Sequence, residues 1–112
     1  MEIIALGHSS FKLKGKTASV VTDPYDPQMV GLKFPKHTFA NIITISHAHA
    51  DHNFVSVVEK EEGTVVFDGP GEYEAKGIEV TGIASFHDDK NGVDRGKNTI
   101  YKIIIDGVSI VH

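Results

Sequence analysis

Three of the chain's seven histidines and an aspartate fall within six positions, His47-Ala48-His49-Ala50-Asp51-His52. His47 and His49 are two residues apart, so on a loop leaving a strand both imidazoles can converge on one ion. Asp51 and His52 follow at once. Placed on the first turn of a helix, they can face a second ion nearby. Imidazole nitrogen and carboxylate oxygen suit Zn²⁺, Fe²⁺ or Mn²⁺. The chain has no cysteine, so any metal must be held by nitrogen and oxygen. Crowded rings that would repel one another when protonated argue for a shared cation.

Four other residues bear on this cluster. His87 closes the apolar run Gly82–Phe86 and opens a polar loop, where it can serve the first ion as a third ligand. Three histidines leave the fourth position to water, the open geometry of catalytic zinc, in which the pKa of the bound water falls to about 7. Asp23, at the end of an apolar run in Thr22-Asp23-Pro24, has two readings. It orients a ligand histidine, as carboxylates commonly do, or it caps the turn before Pro24. His8 ends a strand and either borders the same pocket or faces solvent. His112 is a site residue or simply the last strand residue. His37, in a long loop, reads as solvated.

These residues need strands to position them. Residues 3–6, 11–14, 18–23, 41–46 and 64–67 are apolar or alternating, as strands are. The 41–46 run, NIITIS, is nearly continuous and β-branched, which predicts a strand covered on both faces. Residues 24–40 hold three of the four prolines and read as an irregular loop. In 54–62, Phe54, Val57 and Val58 fall at helical spacing, which predicts a short helix ending near Gly63. Residues 68–71 form a turn, 72–86 a strand pair hinged at Gly77, and 87–97 a polar loop. Residues 98–105 and 108–112 flank Asp106-Gly107, a strong two-residue hairpin signal. The expectation is about nine strands and one clear helix.

Composition bounds the rest. The 112 residues are 40 % apolar and 23 % charged, with a net charge of −4. That fits one soluble domain with one core. No basic run favours nucleic acid, and no stretch approaches the roughly 20 apolar residues of a membrane span. The start lacks the features of a signal peptide, so a cytoplasmic location is expected.

The motif His47-x-His49-x-Asp51-His52 behind a β run, with Asp23 upstream and His87 downstream, resembles the metallo-β-lactamase fold superfamily. The stretches LGHSSFKLKG, VVTDPY and GPGEYEAKGIEVTGI resemble its bacterial branch of small zinc-dependent hydrolases, which includes L-ascorbate-6-phosphate lactonase. The resemblance implies an α/β (α+β-like) fold. That fold is half of an αβ/βα sandwich, a mostly antiparallel mixed sheet with one or two helices. Residues 1–112 would be a single domain, the N-terminal part of the family domain. It would end before the segment that carries an aspartate bridging both metals.

By the same resemblance, His47, His49 and His87 match the first metal site, Asp51 and His52 the second, and Asp23 the supporting aspartate. Zinc is the expected cofactor, one or two ions, with Mn²⁺ or Fe²⁺ as substitutes. A metal-bound hydroxide would attack an ester, lactone or phosphodiester, with Asp51 as the catalytic residue that orients it. An anionic small-molecule substrate is compatible, since divalent ions dominate the local field. The alternative is a non-catalytic metal-binding or self-associating half-domain. The sheet face normally covered by the second half is expected to expose apolar residues of NIITIS and IYKIII. That exposure implies a homo-oligomer, or pairing with the missing half.

Overall fold

The two most β-branched runs become strands buried at every residue: β3 (Ser19–Thr22) and β4 (Ile42–Thr44). This computed structural model describes residues 1–112. Successive strand residues point to opposite faces, so a run buried throughout must be covered on both. β3 and β4 pair in parallel, with Val20 opposite Ile42 and Val21 opposite Ile43. β1 (Glu2–Gly7) and β2 (Ser10–Lys14) extend this sheet antiparallel on one side, and β5 (Val65–Phe67) extends it parallel on the other. A second sheet, antiparallel throughout, holds β6 (Gly71–Ala75), β7 (Ile78–Phe86), β8 (Lys97–Ile105) and β9 (Val108–Val111).

The cover on each face can be named. On one face Leu13, Val20 and Ile42 meet Val80, Tyr101, Ile103 and Ile105 of the second sheet. On the other, Leu6, Val21 and Ile43 pack against Tyr25, Phe34, Ala40 and Val58, which lie in the two connections joining β3 to β4 and β4 to β5. Burying each such aliphatic or aromatic side chain contributes about 1.5–3 kcal/mol. The layers therefore run connection, mixed sheet, antiparallel sheet.

Three expectations need correction. The chain forms two sheets rather than one. For that reason Ile42, Ile43, Tyr101, Ile103 and Ile105 are buried, not exposed. What stays open is the outer face of the second sheet, where Ile83 lies opposite Ile100 and Val111 opposite Lys102; Ile83 is 52 % and Val111 69 % exposed. The helix expected over 54–62 is only a single 3₁₀ turn, Val55–Val57. Two of its three residues, Val55 and Val57, are β-branched and no side chain caps its start, both unfavourable to a helix. The chain then turns extended at Val58, and Glu59 N–H donates to the Thr38 carbonyl. A helical turn appears instead in the proline-rich connection, α1 (Pro27–Val30), capped by the Asp26 carboxylate.

The hairpin signals are realised. Asp106 and Gly107 adopt φ of 51° and 76°, and Lys76 and Gly77 adopt 53° and 78°, the positive pair that a two-residue hairpin turn requires. No helix is long and apolar enough to cross a membrane.

Candidate metal centre

The functional side chains gather where β3, β4 and β7 end and where β1 turns into β2. The turn from His47 to Asn53 is held by its own backbone: His49 N–H donates to His47 O, and His52 and Asn53 N–H both reach His49 O. It is a closed turn rather than the first turn of a helix. The loop after β3 braces it from behind, since Asp26 N–H donates to Ala50 O and Phe54 N–H to Pro24 O.

Three groups of metal-type side chains result, each with ligand atoms within 4.8 Å of one another. The first is His47, His49 and His87, the set the sequence placed on one ion. The second is His8, Asp51 and His52. The third, Asp23 with His47 and His52, joins the other two. The ring centroids of His47 and His87 are 4.4 Å apart, and those of His47 and His52 are 4.1 Å apart. His87 arrives from the opposite sheet. Its loop is fixed by Asp88, whose carboxylate accepts backbone N–H groups from Lys90, Gly92, Asp94 and Arg95. These donors, Arg95 first, hold the Asp88 carboxyl below its ordinary range.

Asp23 is 1 % exposed and sits at φ 39°, a left-handed conformation that aspartate tolerates. Its carboxylate faces the histidine turn rather than capping Pro24. Oδ1 accepts Ser46 N–H at 2.7 Å, and Oδ2 accepts the Ser46 hydroxyl at 2.5 Å and His52 Nδ1 at 2.8 Å. Ser46 was not legible as a site residue; its position just before the motif was the only hint.

His8 also has a positive φ, 52°, in the two-residue turn after Gly7. A side chain at Gly7 would meet the Tyr25 hydroxyl at 2.6 Å, so only glycine lets the turn close here. His8 Nε2 lies 3.0 Å from Asp51 Oδ2, and His52 Nε2 lies 3.3 Å from the same oxygen. Burial pushes the Asp51 carboxyl up, but the His8 hydrogen bond and the His52 charge outweigh it and lower the pKa. His112 joins no cluster. Its Nε2 donates to Ser9 O at 2.8 Å, steadying the turn that carries His8. It also lines an apolar recess of about 170 Å³ with Phe11 and Leu13. His37 pairs with Glu59 on the surface and belongs to none of the three groups.

The donor set fits a divalent cation. His47 is held neutral, with its pKa lowered to about 4, first by burial and then by His52, His87 and His49. Its buried Nε2 has no hydrogen-bond partner. An orphaned buried imidazole nitrogen is costly unless a cation or donor meets it.

A mixed sheet on an antiparallel sheet, with histidine and carboxylate clusters at the strand ends, defines half of an αβ/βα sandwich with candidate metal ligands at one end. A family profile described as a beta-lactamase superfamily domain matches residues 2–112, and the chain belongs to the metallo-β-lactamase superfamily. The fold is similar to a candidate Zn-dependent hydrolase of that superfamily from Thermotoga maritima (TM-score 0.73, 31 % identity, 98 % of this chain and 47 % of that one). It is also similar to a candidate metal-dependent hydrolase from Parabacteroides distasonis (TM-score 0.70, 17 % identity, 97 % of this chain and 58 % of that one). CmlA, a diiron β-hydroxylase from Streptomyces venezuelae, shares the fold at TM-score 0.61 and 14 % identity, over 97 % of this chain and 28 % of CmlA. The chain thus spans about half the length of the Thermotoga protein, 47 %. No curated protein matches it.

Proposed function

We infer that the chain carries the metal-holding half of a metal-dependent hydrolase acting on an ester, lactone or phosphodiester. The observation that carries this reading is the buried, unpartnered Nε2 of His47 between two clusters of metal-type ligands. His47, His49 and His87 would hold the first ion, and Asp51, His52 and His8 the second. Zinc suits three imidazoles best, with Mn²⁺ or Fe²⁺ also compatible with nitrogen and oxygen donors. When bound, such ions supply Lewis acidity and an activated water at neutral pH.

The chain's own groups do the positioning. Asp51 presents Oδ2 toward the second cluster, with His8 and His52 on either side of it. The clusters lie at loop and strand ends, where substrate can approach. An anionic small molecule would be a compatible substrate once divalent ions are bound, since they would dominate the local field. We assign self-pairing to the open outer face of the second sheet.

The test is elemental analysis of the purified chain, followed by hydrolysis of a chromogenic ester and phosphodiester. Expected are at least one ion per chain, fewer ions in His47→Ala, and turnover that His49→Ala abolishes. Metal without turnover would favour the non-catalytic metal-binding reading. Neither metal nor turnover, even with added zinc, would overturn both.

A further inference from the structure

Every polar group of Ser46 is committed. Its N–H donates to Asp23 Oδ1 and its carbonyl accepts Thr99 N–H from the second sheet at 2.7 Å. Its Oγ lies 2.5 Å from Asp23 Oδ2 and 2.8 Å from His47 Nδ1. A hydroxyl has one proton, and an ionised carboxylate can only accept. The proton on Ser46 Oγ therefore points at Asp23, and His47 Nδ1 must donate to Ser46. The same Asp23 oxygen also accepts from His52 Nδ1. The chain of donors reads His47 Nδ1–H to Ser46 Oγ–H to Asp23 Oδ2, with His52 Nδ1–H meeting that oxygen from the other side.

The consequence is a choice of tautomer at both rings. With each proton on Nδ1, the lone pairs of His47 and His52 sit on Nε2. Those are the nitrogens the site leaves available: His47 Nε2 is buried without a partner, and His52 Nε2 lies 3.3 Å from Asp51 Oδ2. Facing lone pairs at that separation repel unless a cation or proton intervenes.

We propose that Ser46 is a positioning residue, and that with Asp23 it sets the Nε2-coordinating tautomer in both metal clusters through one carboxylate oxygen. The proposal rests on the metal-dependent reading above. It adds that the two clusters are coupled, because His47 belongs to one and His52 to the other. Losing the Ser46 hydroxyl frees only the His47 ring, whereas neutralising Asp23 frees both.

The experiment uses the zinc-free chain and then zinc alone. Histidine tautomers are read by long-range ¹H–¹⁵N correlation at pH 7.5 in wild type, Ser46→Ala, Ser46→Thr and Asp23→Asn, with far-UV circular dichroism to confirm folding. Zinc affinity is then measured by competition with a chromophoric chelator. Wild type should show His47 and His52 as Nδ1–H tautomers. Ser46→Ala should mix the tautomers of His47 alone and weaken zinc binding about 10- to 100-fold, as loss of a ligand's orienting partner does. Ser46→Thr should restore both readouts. Asp23→Asn should disturb both rings; if it fails to fold, the serine pair still decides. An Nε2–H tautomer at His47 in wild type, or a Ser46→Ala protein unchanged in tautomer and zinc affinity, overturns the proposal. Tautomers as expected in a chain that hydrolyses nothing would sink the hydrolase reading and leave this one standing.

Discussion

The Tyr101 hydroxyl lies 2.8 Å from the main-chain oxygen of Ile45, two residues before His47. The same hydroxyl is 3.0 Å from Phe67 O, so one group on the second sheet holds the ends of two strands of the first. Burial, then the nearby Tyr73 and Asp68, push its pKa up to about 12; it stays a donor across the whole physiological range. Thr99 N–H adds a parallel tie to Ser46 O. The histidine turn is thus anchored from across the sandwich.

Phe67 O also accepts Ile45 N–H, so removing that hydroxyl in Tyr101→Phe takes a donor chiefly from the Ile45 carbonyl, which costs about 1–3 kcal/mol. Urea unfolding of the metal-free protein should show a lower midpoint with an unchanged slope. A midpoint equal to wild type would mean that the carbonyls find other donors.

The metal-free fold should weaken in mild acid. His47 takes up its proton near pH 4 in the folded chain, against an ordinary value of 6.5. Between these values the unfolded chain binds more protons, so stability rises with pH there and is lost as pH falls from 6.5 toward 4. Asp51, lowered below 3.8, continues the loss at still lower pH. In His47→Ala the decline between 6.5 and 4 should shrink; identical pH profiles of the urea midpoint would contradict the assignment.

His8→Ala and His49→Ala should separate the clusters. His8→Ala should lower the second zinc equivalent and leave the first, whereas His49→Ala should lower the first. Isothermal titration with zinc reads both; loss of the same equivalent in the two variants would merge the clusters into one site.

The open face with Ile83, Ile100 and Val111 should drive self-association. Light scattering at micromolar concentration should give about twice the mass of one chain, and Val111→Asp should shift it toward the monomer. A monomeric wild type removes self-pairing.

Much of this was legible from residue types. The His47-to-His52 spacing marked the turn, Asp106-Gly107 marked a hairpin, and NIITIS marked a strand covered on both sides. Spacing without context is misleading at Phe54, Val57 and Val58: they sit at helical intervals, but β-branched valines and the bond from Glu59 N–H to Thr38 O limit the segment to one 3₁₀ turn before it runs extended at Val58. The role of Ser46, the partnership of His8 with Asp51 and the second sheet are not written in any local pattern, because each depends on residues far apart in the chain. Ser46 and Thr99 meet across 53 positions of the chain, and no local pattern records that.

The first ligand group is split between layers. His47 and His49 leave the mixed sheet at the end of β4, and His87 leaves the antiparallel sheet at the end of β7. An ion gripping all three rings spans the seam between the sheets, so parting the sandwich at that end and releasing the ion become one event. Binding at 100 times the dissociation constant then adds about 2.7 kcal/mol to the closed form. With an ion bound, the site would act as a clasp: its occupancy would report whether the two sheets are shut, and their closure would set how tightly the ion is held.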